Sequence, residues 1–251
     1  MKKTFACILN LNLPTYTDWL YESLKPFEGQ GNYDITVIDN GSTEKGKSKY
    51  TGFSLDSNVY FGGGFQSAVE YVLSSDEYDS LLFLNNDLTL HGNGFVKTLR
   101  DEMFNGNYGI ISPTFINIDP DPIKQCHWKS MLNYYSTGVR DVPFIDLQGP
   151  LIRRDVLERY IKFETLPDLL YGWGIDALLA IICAHDSIKM GVVDRVSMLH
   201  HNSLTVRSGV SDLTIQTYCQ LAEKGQFNFF SRNNMLKEFM EIRKKGESYN
   251  V

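Results

Sequence analysis

Cysteine is scarce and scattered. Cys7, Cys126, Cys183 and Cys219 form no C-x-x-C pair, which argues against a disulfide scaffold and a cysteine-rich zinc site and fits a reducing compartment. Positive charge is not in excess either. The 24 Lys and Arg stand against 30 Asp and Glu, a net charge of −6 that opposes broad attraction to nucleic acid or anionic membrane while leaving room for a local basic groove. No apolar run is long enough to span a bilayer, and the basic start Met1-Lys2-Lys3 runs into Asn10 and Asn12 without a small-residue cleavage site. A soluble, untargeted, cytoplasmic protein is therefore expected. Neither G-x-G-x-x-G nor G-x-x-x-x-G-K-[ST] occurs, so a dinucleotide or ATP site has little support. Internal repeats and low-complexity segments are also missing.

What is present is an ordinary globular composition, 43% hydrophobic and 22% charged, over 251 residues. That length buries one substantial core, and one domain with an elaborated C-terminal half is expected. The chain centres on Leu81-Leu82-Phe83-Leu84-Asn85-Asn86-Asp87. Four consecutive apolar residues read as a short strand covered on both faces, and that strand stops in two amides and a carboxylate. Thr4–Leu11, Asp34–Asp39, Gly109–Ile116 and Met190–His201 read as further strands. Helices are expected after Pro14, capped by Thr17 or Asp18, over Gln66–Leu73 and Phe95–Met103, and after Asp176. Phe144–Arg154 reads as a strand leading into a helix. This alternation indicates successive βαβ units and a mostly parallel sheet flanked by helices. Residues from Ser211 onward read as helical, ending in the amphipathic, charged Met235–Lys245, expected to be a solvated terminal helix.

In open α/β sheets ligands bind at the C-terminal ends of the strands, and several such ends here are polar. Asp39-Asn40-Gly41-Ser42 reads either as an acid for a ribose or base or as a tight turn. Gly62-Gly63-Gly64 reads either as a backbone approach to a phosphate or sugar or as a flexible turn. Asn85-Asn86-Asp87 reads as a holder of a metal-bound phosphate or as a strand-ending turn. Asp176 lies in the first turn of a helix, where the helix dipole alone favours an acid. Trp173 between Gly172 and Gly174 lacks the packing partners of a core residue and suits an open platform for a flat ligand. His200 and His201 end a late strand. The irregular segment between Asn117 and Asp141 carries the aromatics Trp128, Tyr134 and Tyr135, fit to line an acceptor site or to wrap the surface.

In this order along the chain, the stretches DITVIDNGS, SLLFLNNDLTL, QGPLIRRDVLE and YGWGID followed by LHH resemble the family 2 glycosyltransferases. These are nucleotide-sugar-dependent enzymes of the GT-A fold, and the likeness is to their rhamnosyltransferase-like members, over roughly Thr4–Thr205. The resemblance implies a GT-A domain over residues 1–210, with a nucleotide-sugar half to about 115, an acceptor half over 116–210, and a helical extension over 211–251. It implies that Pro14, Thr15 and Tyr16 touch the nucleoside and that Asp39 binds base or ribose. Asn58, Gly62 and Gly63 would close over the donor. Asn85-Asn86-Asp87 matches the D-x-D element, with Asp87 and His200 (or His201) holding a divalent metal, Mn²⁺ or Mg²⁺. Trp173 and Gly174 would meet the acceptor, and Asp176 would be the general base. Arg207 is a candidate diphosphate contact. Two departures stand out: Asn85 replaces the first acid of D-x-D, leaving fewer negative ligands, and Gly174-Ile175-Asp176 keeps one acid where relatives carry Glu-Asp.

The implied reaction is inverting transfer of a sugar from a UDP, GDP or dTDP sugar to an acceptor hydroxyl. The acceptor is a glycan or other hydroxyl compound, with a hydroxymethylated DNA base as an alternative. A sugar-phosphate nucleotidylyltransferase fits less well, because Asn12-Leu13-Pro14-Thr15 stands where those enzymes carry a basic glycine-rich loop. A non-catalytic carbohydrate- or nucleotide-binding module is the third reading, motivated by the missing acids.

Overall fold

β1 (Lys3–Asn10) is the strand on which the first half of the molecule is assembled. Seven of its eight residues are buried, and it pairs in parallel with both β2 (Tyr33–Asp39) and β4 (Tyr78–Asn85). In a computed structural model describing residues 2–116, 129–132, 136–201 and 214–248, a nine-stranded sheet runs in the order β3-β2-β1-β4-β8-β6-β9-β5, with β7 also on β9. β3 is Thr51–Ser54, β5 Leu88–His91, β6 Tyr108–Phe115, β7 Val139–Asp141, β8 Leu151–Arg153 and β9 Lys189–His200. The expected parallel order holds through β3-β2-β1-β4 and recurs at β6–β9, whereas β5, β7 and β8 pair antiparallel and mix the second half. β3, β5 and β7 are only three or four residues long and partly exposed, too short and too mixed in polarity to stand out as strands in the sequence.

Helices α1 (Pro14–Leu24), α2 (Glu28–Gly31) and α4 (Phe95–Asn105) pack against the sheet and one another. So do α3 (Tyr60–Leu73), α5 (Arg154–Tyr160) and α6 (Ile175–His185). α1 begins at Pro14, earlier than expected: its missing N–H suits a first-turn position that has no intrahelical partner, and neither Thr17 nor Asp18 is the cap. Thr17 instead turns inward and donates to Asn10 Oδ1 at 2.8 Å. The last two helices, α7 (Ile215–Arg232) and α8 (Leu236–Ser248), are part of the body of the molecule. Phe229, Phe230, Phe239 and Ile242 belong to the same buried cluster as Ile175 and Leu178 of α6, so the expected solvated terminal helix is a packed one. Burying Phe239 and Ile242 of α8 contributes on the order of several kcal/mol, while Lys237, Glu241, Lys244 and Lys245 of the same helix stay exposed.

Register decides where the polar strand ends meet. Asn10 lies opposite Asp39 and Leu9 opposite Asn85, so three parallel strands finish level. β5 then carries the chain beside β9, with Leu88 opposite His200, and the His201 N–H donates to the Asp87 carbonyl at 2.9 Å. Among the described residues no helix is long and apolar enough to cross a membrane.

Candidate active site

A cavity of about 560 Å³ opens where those strands end. Its wall includes Asn58, Asn85, Asn86, Asp87, Trp173, Gly174, Asp176 and His200, all singled out in the sequence. Asp87 is 3% exposed and its Oδ1 lies 3.2 Å from His200 Nε2. His200 is the histidine that faces the cavity, because neighbours on a strand point to opposite faces; His201 turns away, with Nε2 2.9 Å from Thr89 Oγ1. Asn86 donates to Thr17 Oγ1 at 3.2 Å and to Asn10 Oδ1 at 3.4 Å, which ties the turn after β4 to β1 and α1.

Trp173 is 41% exposed on a turn in which Gly172 and Gly174 both take left-handed φ, +95° and +94°. L side chains avoid that conformation, and a Cβ on Gly172 would stand 2.4 Å from the Phe61 ring, so the two glycines shape the turn that presents the indole. The turn is pinned by Tyr218 of α7, whose hydroxyl donates to the Tyr171 carbonyl at 2.6 Å. Asp176 follows in the first turn of α6, accepting the Ala177 N–H at 2.8 Å.

Several of the expected residues lie off the cavity wall. The three glycines lie inside the first turns of α3, and Gly62 and Gly63 are not part of the cavity wall. Gly62 donates its N–H to Leu170 O at 2.8 Å, and a Cβ there would meet Leu169 O at 2.1 Å, so its smallness lets α3 approach the chain before Trp173. Asp39 is fully buried and away from the wall. One of its oxygens accepts from Asn10 Nδ2 at 2.9 Å and the other from the Ser42 N–H at 3.0 Å. These two bonds clamp the turn after β2. Pro14, Thr15 and Tyr16 also lie off the cavity, at the start of α1, with the Tyr16 ring 6.1 Å from that of His201. Arg207, Trp128, Tyr134 and Tyr135 fall outside the described residues.

The structure adds residues that the sequence reading missed. Asp146 and Gln148, from the segment between β7 and β8, line the cavity at 8% exposure each, and Gln148 Nε2 donates to Asp146 Oδ2 at 3.0 Å. Burial pushes the Asp146 carboxyl up to about 6, against the opposing pull of His200. Tyr60, Tyr171 and Tyr218 form an edge-to-face chain, with centroids 4.8 and 5.1 Å apart, and α8 contributes Phe239, Ile242 and Arg243. The signal for Asp146 and Gln148 lay in Ile145-Asp146-Leu147-Gln148, where polar residues two apart interrupt an apolar run.

The side chains also fit a divalent cation. Asp87 and His200 are already together, and Asn85 Oδ1 and Gln148 Oε1 are buried acceptors without a partner. Oxygen donors with one imidazole suit Mn²⁺ or Mg²⁺. Among the described residues no three His, Cys, Asp or Glu converge closely enough to hold a metal by themselves.

No protein-family model and no curated protein matches the sequence. Solved structures do match the fold. A mannosyltransferase from Pyrobaculum calidifontis, in complex with GDP-Man and Mn²⁺, aligns at TM-score 0.55 and 7% identity over 99% of this chain and 76% of its own. Glucosyl-3-phosphoglycerate synthase from Mycobacterium tuberculosis, with Mn²⁺, UDP-glucose and phosphoglyceric acid, aligns at 0.55 and 12% identity over 93% and 80%. TarS of S. aureus aligns at 0.55 and 15% identity over 92% of this chain, which spans only 44% of the TarS chain. None of these names points to the rhamnosyl subtype. With a mixed sheet flanked by helices and these neighbours, the chain has the GT-A glycosyltransferase fold.

Proposed function

We propose that this protein is an inverting, metal-assisted glycosyltransferase that moves a sugar from a nucleotide-diphospho-sugar to an acceptor hydroxyl. The observation that carries the reading is the meeting of Asp87, His200, Trp173 and Asp176, remote in sequence, on the wall of one cavity at the ends of the parallel strands. That the solved neighbours hold GDP-Man or UDP-glucose with Mn²⁺ supports the same reading for the donor.

Asp87 and His200 are the residues to hold the cation, beside the Asn85 and Asn86 amides, with Asn58 on the same wall for the donor. When bound, a divalent cation offsets the charge that grows on the departing diphosphate. Trp173, with Tyr60, Tyr171 and Tyr218, gives the acceptor side flat faces on which a sugar ring stacks. An acceptor hydroxyl is a poor nucleophile near neutral pH, and Asp176, at the mouth of α6, takes its proton as the oxygen attacks the anomeric carbon. A single displacement of this kind inverts that centre.

The test is a thermal-shift screen of UDP, GDP and dTDP sugars with and without Mn²⁺, since a ligand of the folded state raises the melting temperature by mass action. A donor whose shift requires Mn²⁺ is expected; no metal dependence for any donor would remove Asp87 and His200 from their roles. With the donor in hand, Asp176→Asn should keep the shift yet lose transfer by about 10²–10⁴-fold. Unchanged turnover would remove the base.

A further inference from the structure

The cavity holds more negative charge than the D-x-D reading assigns to it. Position 85, where an acid would stand, is Asn, but Asp146 arrives from another segment and is buried on the same wall as Asp87 and His200. Two buried carboxylates in one cavity are costly unless a cation compensates them. Of the basic side chains on the wall, His200 lies against Asp87.

Gln148 points to the same conclusion independently. It is more than nine-tenths buried on the cavity wall, its Nε2 is fixed on Asp146, and its Oε1 has no partner. The fixed Nε2 sets the amide's orientation, so the oxygen stays an acceptor. Asn85 Oδ1 is a second buried acceptor of the same kind. A site lined by acceptors that lack donors is complementary to a cation.

We infer that Asp146 supplies the second negative charge of the divalent-cation site, replacing the acid absent at Asn85 and acting as a positioning residue for Gln148. This rests on the metal-assisted reading above. Asp146 acts through Gln148, whose amide it fixes at 3.0 Å, and through its charge.

The test compares the wild-type chain with Asp146→Asn, Asn85→Asp and the double variant. Mn²⁺ binding is followed by the loss of the free-ion EPR signal, with Mn²⁺ alone and with UDP or GDP added. Asp146→Asn should weaken Mn²⁺ binding about 10-fold or more, the scale of outer-shell partners. Adding Asn85→Asp should restore most of the loss, because the acid is then back in the same cavity. The melting temperature of metal-free Asp146→Asn at pH 7.5 should match or exceed that of wild type, since a buried charge has been removed. Wild-type Mn²⁺ affinity in Asp146→Asn would overturn this inference while leaving the metal-assisted reading in place. So would a loss that Asn85→Asp does not rescue, accompanied by a lower metal-free melting temperature, which would make Asp146 merely structural. A wild-type chain that takes up no Mn²⁺ with or without either nucleotide would overturn the reading itself, and this inference with it.

Discussion

Two buried polar clusters sit side by side at the ends of β1, β2 and β4, and they are built on opposite plans. The first is closed. Asn10 donates to Asp39 Oδ1, to Ser42 Oγ at 3.2 Å and to the Gly46 carbonyl at 2.9 Å, while its own oxygen accepts from Thr17 and Asn86. Both Asp39 oxygens are taken. The second, made of Asn85, Asp87, Asp146, Gln148 and His200, leaves two buried oxygens without partners. Buried polar groups in folded proteins are almost always paired, so the closed cluster is what stability alone selects, and the open one is where the proposed cation would complete the pairing.

The sharpest way to break this comparison is to make one change in both clusters. Asp87→Asn keeps the shape and removes a charge from the open cluster, and transfer should fall by about 10²-fold or more as transition-state charge stabilisation is lost. The metal-free melting temperature should change little, because an amide at 87 can keep a hydrogen bond to the neutral His200 imidazole while the cost of a buried charge is removed. Parallel activity and melting measurements check both; a variant as active as wild type would sink the assignment of Asp87.

Asp39→Asn is the counterpart in the closed cluster, and there the loss should appear in stability. Its new amide would face either the Asn10 amide or the Ser42 N–H, donor against donor. About 3 kcal/mol is the scale for a charge-assisted bond lost with a buried donor stranded. In a chain of this size that lowers the melting temperature by roughly 6–12 °C. Calorimetry would check it, and a drop in donor affinity without a drop in melting temperature would return Asp39 to the role of a ligand-binding acid.

That contrast also marks what was legible in the sequence. Strand ends could be read, because apolar runs that stop in Asp or Asn are local signals, and the turns at Asn85-Asn86-Asp87 and Gly172-Trp173-Gly174 both reached the cavity. Whether a strand-end polar group turns into the network or into the cavity is not local. Asp39 and Asp87 have the same signature, and what separates them is that Asn10 and Ser42 meet one while His200 of a strand far along the chain meets the other. The surroundings of the α3 glycines are not local either. A glycine signals close approach, but the approaching group at Gly62 is the backbone at Leu169 and Leu170 and not a phosphate. Asp146 and Gln148 stayed hidden because no regular element carries them and only the sheet order brings β8 beside β4. The packing of α8 was not legible because its apolar residues read as one face of a surface helix, and only the fold brings α6 over them.

The gentlest test of the comparison needs no ligand, only pH. Asp146 in the open cluster is desolvated, and its carboxyl is pushed up to about 6. The native state then holds a proton that the unfolded chain has released. Stability from this group is complete below the unfolded value near 4 and is lost as pH rises through about 6. Asn at 146 carries no charge at any pH, so metal-free Asp146→Asn should gain on wild type between about pH 4 and 7, by up to about 3 kcal/mol for a shift of roughly two units. Urea unfolding of both proteins in EDTA at stepped pH measures the difference. A flat difference across that window would mean that Asp146 is as well compensated as Asp39, and the two clusters would no longer be unlike.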